Sequence, residues 1–282
     1  MKTEHVKADL HTHGRTTNRF REGDFNKIVD AAYRNMGEGC VVGIVNVGIQ
    51  SAWNFERIID LKGYDRITLE NSVYVPEKDV LIIKTQQVPT NQGHYLAIGV
   101  PAGIKLKQYK NLENSLDEAY GLGVDVIKVA DPFLRFQGIG KYILQNPGLL
   151  EKFDGVGIYN GESETHIPFL NPKHSNQQAE EFFNEVKWKY PHLFGTVISD
   201  GHSFYEIGSS WIKIKSPKIG DAKTMNNSLK ENLKHPRAIH RGKSNWGAIK
   251  HTSKLATIIA LNKLGIEIDD DKYLSYEKKF SQ

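Results

Sequence analysis

Short runs of β-branched and aliphatic residues recur along the chain, separated by longer segments in which apolar residues repeat every three to four positions. The short apolar runs are typical of buried strands, and the repeat of apolar residues every three to four positions predicts amphipathic helices. The predicted strands cover residues 5–11, 40–48, 80–85, 94–100, 124–130, 155–160 and 195–200. The predicted helices cover residues 24–36, 111–123 and 175–190. Asp24 is the predicted N-terminal cap of the first helix, and Ser175 is that of the third.

This alternation predicts parallel strands joined by right-handed crossovers, and hence a barrel or a doubly wound sheet. No G-x-G-x-x-G sequence lies between a strand and a helix, so a dinucleotide-binding fold lacks its fingerprint and a barrel is favoured. After residue 208 the chain becomes basic and is interrupted by Pro and Gly, without a linker or an internal repeat. We expect a barrel over residues 1–210 and a basic C-terminal extension over 211–282, packed on it as part of the same domain.

Composition narrows the class of protein only slightly. With 39% hydrophobic and 25% charged residues, the chain has the balance of an ordinary soluble protein. A net charge of +4 gives a mild preference for anionic partners such as phosphorylated substrates. The single cysteine, Cys40, excludes an intramolecular disulfide and a zinc site made of paired cysteines. The charged N-terminus and the short apolar runs predict a cytoplasmic protein without a membrane segment.

Histidine and aspartate residues stand at the ends of the first and last predicted strands. His11 and His13 end the first strand, and Asp200 and His202 end the last. The carboxyl ends of barrel strands converge on one face, and residues i and i+2 of an extended segment point to the same side. Each pair can therefore present two ligands to one ion. Imidazole and carboxylate together suit zinc, manganese or iron, and such an ion activates water for hydrolysis.

Three motifs follow one another along the chain: ADLHTHG at 8–14, GHYLAIGV at 93–100 and ISDGHSFYEIG at 198–208. Together they resemble the PHP family, named for its polymerase and histidinol phosphatase members, whose pattern includes D-L-H-x-H, G-H-x-L-x-x-G and S-D-x-H. FDGVGIYNGESE (153–164) and VADPFLR (129–135) are similar to two further segments of that pattern. The resemblance implies a distorted (β/α)7 barrel of the PHP type, up to three metals at the carboxyl ends of its strands, and phosphoesterase chemistry.

The resemblance assigns ligand positions, and several of them are changed in this chain. The matching ligands are His11, His13, His94, Asp200 and His202. The changed positions are Asn46 and Val47 in place of an Asp and a ligand His, Gln87 in place of a bridging Glu, Asp131 in place of a ligand His, Gly157 in place of a Glu, and Asn18 or Arg19 near an expected acid or His.

These changes predict a reduced centre. The first metal position retains His11, His13 and Asp200, with Gln87 as a weaker fourth donor. The third position retains His94, with Asp131 as a carboxylate in place of imidazole. The second position retains only His202 and is expected to be empty, so we predict one or two ions rather than three.

The expected ligand of this centre is a small phosphorylated substrate. Arg15, Arg19 and Arg135 are candidates to clamp its phosphate, because planar guanidinium groups bind phosphate oxygens in pairs. Nucleic acid is the weaker alternative. The basic C-terminal segment includes Trp211 and Trp246, but it contains no recognised nucleic-acid motif, and a net charge of +4 is small. No membrane partner is expected.

Three functional hypotheses follow. The first is a metal-dependent phosphoesterase in which His11, His13, Asp200 and His202 are catalytic. The second is a catalytically inactive PHP-like barrel that acts as a binding or regulatory module, which the replaced ligands favour. The third is a hydrolase of the amidohydrolase type, for which Lys128 supplies the lysine but the later histidines are missing. The retained H-x-H and D-x-H pairs favour the first, and the oligomeric state stays open.

Overall fold

The computed structural model describes residues 1–14, 20–46, 54–131, 138–164 and 174–243, together with residues 249, 253 and 257. The strands are β1 (His5–Thr12), β2 (Cys40–Asn46), β3 (Ile67–Thr68), β4 (Ser72–Val75), β5 (Val80–Thr90), β6 (Gly93–Ile98), β7 (Ile127–Ala130), β8 (Gly155–Asn160), β9 (Phe194–Ile198), β10 (Trp211–Lys215) and β11 (Ala238–His240). The α-helices are α1 (Asp24–Met36), α2 (Asn54–Ile59), α3 (Leu112–Gly121), α4 (Gly140–Gln145), α5 (Ser175–Val186) and α6 (Ala222–Leu233), with 3-10 turns at Pro147–Lys152 and Phe204–Glu206. Within the described part of the chain, no helix combines the length and apolarity needed to cross a bilayer.

The strands form one sheet that nearly closes into a barrel, with nine of them in the order β11-β10-β1-β2-β5-β6-β7-β8-β9. Off this path, β4 pairs with β5 and with β3. The pairs β1/β2, β2/β5, β7/β8 and β8/β9 are parallel, which confirms the predicted α/β barrel. The expectation of parallel strands throughout is wrong at β6, which runs antiparallel to both β5 and β7. The reason is the connection: Asn91 and Gln92 alone join β5 to β6, and so short a loop forms a hairpin rather than a crossover.

Two different segments complete the sheet beside β1. At its carboxyl end, the amides of His13 and Gly14 donate to the carbonyl of Gly201, over 2.9 and 3.2 Å, and the Asp200 amide donates to the His11 carbonyl over 3.0 Å. At its amino end, His5 to Ala8 pair antiparallel with β10. The beginning of the C-terminal extension is therefore a strand of the sheet, and the segment after β9 is fastened to the end of β1.

Helix α6 fills the amino-terminal end of the barrel. Met225, Leu229 and Leu233 belong to the same buried cluster as the inward-facing side chains of the strands. Asn226 Nδ2 donates to the carbonyl of Gly99, just beyond β6, over 2.9 Å. Because β6 is antiparallel, its carboxyl end lies with the amino ends of the other strands. The opposite end of the barrel, where the parallel strands finish, is the one that carries the polar motifs.

The helix starts differ from their predictions by one residue. Asp24 and Ser175 are the first helical residues rather than caps, and the cap positions are Gly23 and His174. Both caps adopt left-handed backbone, with φ of 82° and 76°, which turns the chain directly into the helix. Asp24 instead accepts a hydrogen bond of 2.8 Å from the Arg21 amide, closing the turn that precedes α1.

Candidate metal centre

The end of β1 and the segment after β9 bring three potential ligand atoms together. His11 Nε2 and His13 Nε2 lie 3.3 Å apart. Each of them lies 3.2 Å from Asp200 Oδ1. The three side chains are buried, with at most 6% of any of these residues exposed. The H-x-H and D-x-H pairs singled out from the sequence therefore face one another at the carboxyl end of the barrel.

The spacing of these atoms fits one face of a metal coordination sphere. Ligands about 2.0–2.1 Å from a tetrahedral Zn²⁺ are about 3.3 Å apart, which is the edge of the tetrahedron. The observed separations are 3.2 to 3.3 Å. Asp200 Oδ1 is fully buried and receives no well-aligned hydrogen bond from the described residues. A buried carboxylate oxygen surrounded by imidazole nitrogens in this way is suited to a cation.

The pKa shifts of His11 and Asp200 also favour the forms that bind metals. Burial lowers the pKa of His11, although Asp200 opposes that shift. Burial acts to raise the pKa of Asp200, but His11, His13 and His202 outweigh it and hold that pKa well below its usual range. Divalent metals bind neutral imidazole and ionised carboxylate. The electrostatics of the pocket thus favour the forms that a cation requires.

Asp9 fixes the position of β1 relative to the Asp200 segment. Its carboxylate is fully buried and accepts hydrogen bonds from the Ser199 hydroxyl at 2.6 Å and amide at 3.1 Å, and from the Gly208 amide at 2.8 Å. Burial raises the pKa of Asp9 to about 6 even though these hydrogen bonds oppose the shift. Asp9 therefore lies behind the candidate ligands and holds the two segments that carry them.

A second group of potential ligands adjoins the first and includes a residue that sequence analysis missed. Glu162 Oε2 lies 3.4 Å from His202 Nε2, and Asp200 Oδ1 lies 3.8 Å from the same nitrogen. Glu162, Asp200 and His202 each place one ligand atom within 4.8 Å of the others. The rings of His13 and His202 are stacked, 4.2 Å apart and nearly parallel. Asp200 is the member common to both groups.

The turn that carries Glu162 is held by asparagine side chains. Asn160, the last residue of β8, donates to Asp200 Oδ2 over 2.9 Å and accepts from the Ser163 amide over 3.1 Å. Its own amide donates to Asn176 Oδ1 over 2.9 Å. Asn176 in turn donates to Glu164 over 3.0 Å. Asn160 thus connects the turn directly to the carboxylate at the centre of the site.

The remaining predicted ligands form a third group at the same end of the barrel. His94, at the start of β6, lies 2.9 Å from Gln87 Nε2 and 3.7 Å from Asp131 Oδ2. The antiparallel course of β6 is what brings its first residues to the carboxyl ends of the parallel strands. Burial, followed by the charge of Asp200, raises the pKa of Asp131 well above its usual range. Gln87, predicted as a donor to the first ion, has its observed contact with His94.

Gly157 provides the space that the Asp131 carboxylate occupies. A Cβ atom at position 157 would lie 2.7 Å from Asp131 Oδ1, which is closer than real Cβ contacts. The two departures from the family pattern at these positions are therefore coupled in space. A larger side chain at 157 and the present placement of Asp131 exclude one another.

We expect Gly157→Ala to lower the free energy of unfolding by about 1–3 kcal/mol, because the added methyl group overpacks the buried Asp131 carboxylate. Combining it with Asp131→Ala should remove most of this penalty. Urea denaturation of wild type, both single variants and the double variant gives the coupling energy between the two positions. Additive effects of the two changes would show that Gly157 does not make room for Asp131.

Other residues singled out from the sequence have different positions. Asn46 Oδ1 accepts from the Phe55 amide over 3.0 Å and so tethers β2 to α2. Lys128 alternates with Ile127 and Val129, which face the barrel interior. Its amino group therefore lies on the outer side, 2.8 Å from Asp154 Oδ2, away from the site that an amidohydrolase lysine would serve. Asn18, Val47, Trp246 and the proposed phosphate-binding residues Arg15, Arg19 and Arg135 lie outside the described residues.

No protein-family model matches this chain, and no curated protein matches it in sequence. Solved structures do match it in fold. The lesion-specific endonuclease PfuEndoQ from Pyrococcus furiosus gives a TM-score of 0.53 at 14% identity, over 84% of this chain and 57% of that one. Endonuclease Q in complex with a 27-mer duplex bearing an abasic lesion at the active site gives 0.54 at 15% identity, over 84% and 58%.

PsfC from Pseudomonas syringae PB-5123 also matches, with a TM-score of 0.54 at 12% identity over 93% of this chain and 100% of that one. The chain spans only 57% and 58% of the two endonuclease Q chains. Identities this low show a shared fold alone. That fold fits the PHP-like barrel expected from the sequence motifs.

Proposed function

We propose that this protein is a metal-dependent hydrolase of phosphate esters, with a divalent zinc, manganese or iron ion held by His11, His13 and Asp200. The observation that carries the proposal is the triangle of two imidazole nitrogens and one carboxylate oxygen, with edges of 3.2 to 3.3 Å. A buried trio of this kind has no structural need to be polar. Its side chains could be replaced by apolar ones at lower desolvation cost unless they bind something.

The residues at the carboxyl end of the barrel would have different roles in this reaction. Asp9 and Asn160 position Asp200, each through a hydrogen-bonded link to its segment or its carboxylate. His202 lies beside Asp200, where it can contact a bound phosphate. An ion held by the trio would lower the pKa of a bound water and neutralise charge on the phosphoryl oxygens.

The other predicted residues have supporting roles in this proposal. His94 and Asp131 form the neighbouring group, placed to contact the substrate or to complete a weaker metal position, and Gln87 orients His94 through their 2.9 Å contact. On the sequence pattern we also assign Arg15, Arg19 and Arg135 to phosphate binding, since guanidinium groups pair with phosphate oxygens.

We propose a small phosphate monoester as the substrate class. Nucleic acid is the second candidate, and the observation that favours it is the fold shared with endonuclease Q in its complex with a 27-mer duplex. Hydrolysis of an aryl phosphate and nicking of a duplex with an abasic site, measured in parallel on the same preparation, distinguish the two.

We expect His13→Ala to lower kcat/KM for an aryl phosphate by at least about 100-fold, because losing one metal ligand removes part of an electrostatic stabilisation of several kcal/mol. Zn²⁺ or Mn²⁺ should also raise the Tm of the wild-type protein by binding only its folded state, and this rise should be much smaller in the variant. His235→Ala, at an exposed histidine, is the matched control and should behave as wild type. Wild-type protein that retains no metal and shows no turnover sensitive to His13→Ala would contradict the proposal.

A further inference from the structure

We infer that Glu162, Asp200 and His202 form a second metal position next to the first, with Asp200 shared between them. This inference deepens the proposed function and rests on it, since it takes the first ion as given. It assigns a role to Glu162, to which the sequence motifs assigned none. It also replaces the sequence-based expectation that a second ion lacks ligands once Val47 stands in place of a histidine.

The geometry places Asp200 Oδ1 between two sets of donors. On one side are the nitrogens of His11 and His13, both at 3.2 Å. On the other side is His202 Nε2 at 3.8 Å, itself 3.4 Å from Glu162 Oε2. The near-parallel stacking of His13 and His202, 4.2 Å apart, lets both imidazoles face this one oxygen. Paired metal sites have ions about 3.5–4 Å apart, and a shared carboxylate is suited to that spacing.

An ordinary ion pair between Glu162 and His202 is the simpler interpretation, and the distances count against it. A charge-assisted hydrogen bond between imidazolium and carboxylate is about 2.7–2.9 Å long. The observed separation is 3.4 Å, with the Asp200 oxygen facing the same nitrogen. The ligand atoms of Glu162, Asp200 and His202 all lie within 4.8 Å of one another, a spacing that one shared cation can span.

The backbone and side chains around Glu162 fix it in this position. Asn160 donates to Asp200 and also accepts from the Ser163 amide, so one side chain sets the distance between the turn and the shared carboxylate. On the other side, the amide of His202 and the hydroxyl of Ser203 both donate to Glu206 Oε2, over 3.1 and 3.0 Å. The turn that carries Glu162 and the segment that carries His202 are therefore each held by a local hydrogen-bond network.

Charge gives the second ion a consequence for the substrate. Two dications bring four positive charges, and the nearby carboxylates of Asp200, Glu162 and Asp9 offset only part of them. A phosphate monoester dianion carries twice the charge of a phosphodiester and is attracted more strongly by the positive charge that remains. A two-ion site of this composition thus favours a terminal phosphate over an internal phosphodiester.

The test is the number of Mn²⁺ ions bound per chain, measured by equilibrium dialysis of chelator-treated protein followed by elemental analysis. Wild type should bind about two ions, and electron paramagnetic resonance should show the exchange coupling expected of ions about 3.5–4 Å apart. Glu162→Gln removes the ligand charge with little change of shape, so this variant should bind about one ion and lose the coupling. Glu181→Gln, at an exposed carboxylate on α5, is the control and should match wild type.

Wild type that binds a single Mn²⁺, or Glu162→Gln that still binds a coupled pair, would overturn the inference. Loss of turnover in Glu162→Gln with both ions retained would also overturn it and would make Glu162 an acid–base residue. Because the measured quantity is the number of bound ions, a failure of this inference can be distinguished from a failure of the proposed function. A single ion with phosphatase turnover would leave that function standing, and a coupled pair without turnover would remove it while the second position stands.

Discussion

Replacing Asp200 by Asn should abolish high-affinity metal binding and lower kcat/KM for phosphate ester hydrolysis by about 10³–10⁴-fold. The size follows from the several kcal/mol that a metal contributes to stabilising charge in the transition state, at 1.36 kcal/mol per tenfold in rate. Asp200 Oδ1 lies 3.2 Å from the Nε2 atoms of His11 and His13 and 3.8 Å from that of His202. Its loss therefore affects both proposed ions, whereas the loss of any single histidine affects one.

The Asn substitution is chosen because it should leave the fold intact. Asp200 has φ of 51°, in the left-handed region that Asn adopts at least as readily as Asp and that Ala disfavours. Asn also keeps an oxygen that can accept the 2.9 Å hydrogen bond from Asn160. The fold of the variant should thus be unchanged, and its far-ultraviolet circular dichroism spectrum, compared with that of wild type, is the check on folding.

Metal content by elemental analysis and kcat/KM with saturating Mn²⁺ are the two measurements for this variant. Asp117→Asn is its control, because Asp117 is an exposed aspartate on α3 that pairs only with Lys152 among the contacts described for it. A folded Asp200→Asn protein that retains both metal and turnover would show that the buried triangle is not the catalytic metal site.

Sequence pattern was sufficient for the barrel because its strands are buried on both faces. Runs such as CVVGIVN in β2 are apolar up to the last residue, Asn46, and this signal needs no tertiary information. The same rule fails for the second half of β5, where Gln86, Gln87 and Pro89 look like a loop. Gln86 is accommodated because its side chain bonds both backbone groups of Leu106, which pairs polar atoms that a strand interior would otherwise leave unsatisfied.

No strand or helix is predicted in the basic C-terminal extension, yet the structure contains β10 and α6 there. Both have local signals that the overall charge of the extension obscured. Residues 211–215, WIKIK, alternate apolar and polar side chains as a half-buried strand does. Asp221 caps α6 by accepting from the Thr224 amide over 2.7 Å, ahead of apolar residues spaced four apart from Met225. The overall basic character of residues 211–282 therefore gives no indication of the two short periodic patterns that predict β10 and α6.

The candidate site was predictable where ligands are paired along one strand and not where they depend on a neighbouring turn. His11, His13 and Asp200 follow from the rule that strand ends converge. Applied to β8, the same rule would have included Asn160 and Glu162. Comparison with the family pattern directed attention to Gly157 instead, since a glutamate was expected there. The contact between Gly157 and Asp131 shows why that position has no side chain.

Replacing Asp9 by Ala should lower the free energy of unfolding by about 2–4 kcal/mol and weaken metal binding by about 10–100-fold. The change leaves the Ser199 amide, the Ser199 hydroxyl and the Gly208 amide without their buried acceptor. Each unpaired buried donor costs about 1–3 kcal/mol, and relief from burying a carboxylate offsets part of the sum. The effect on metal affinity arises because Asp9 holds the segment of Asp200 against the end of β1.

Urea denaturation and Mn²⁺ titration of the same preparations measure the two effects. Asp60→Ala, at an exposed aspartate, controls for the loss of a carboxylate and should change neither quantity. Asp9→Asn keeps one oxygen acceptor but directs an amide donor at the remaining N–H groups, so it should lie between wild type and Asp9→Ala in stability. If Asp9→Ala loses stability but binds Mn²⁺ as tightly as wild type, the ligands are positioned by β1 and its neighbours alone, and Asp9 serves only the fold. If both quantities fall together, this one buried carboxylate links the closure of the barrel to the geometry of the metal centre.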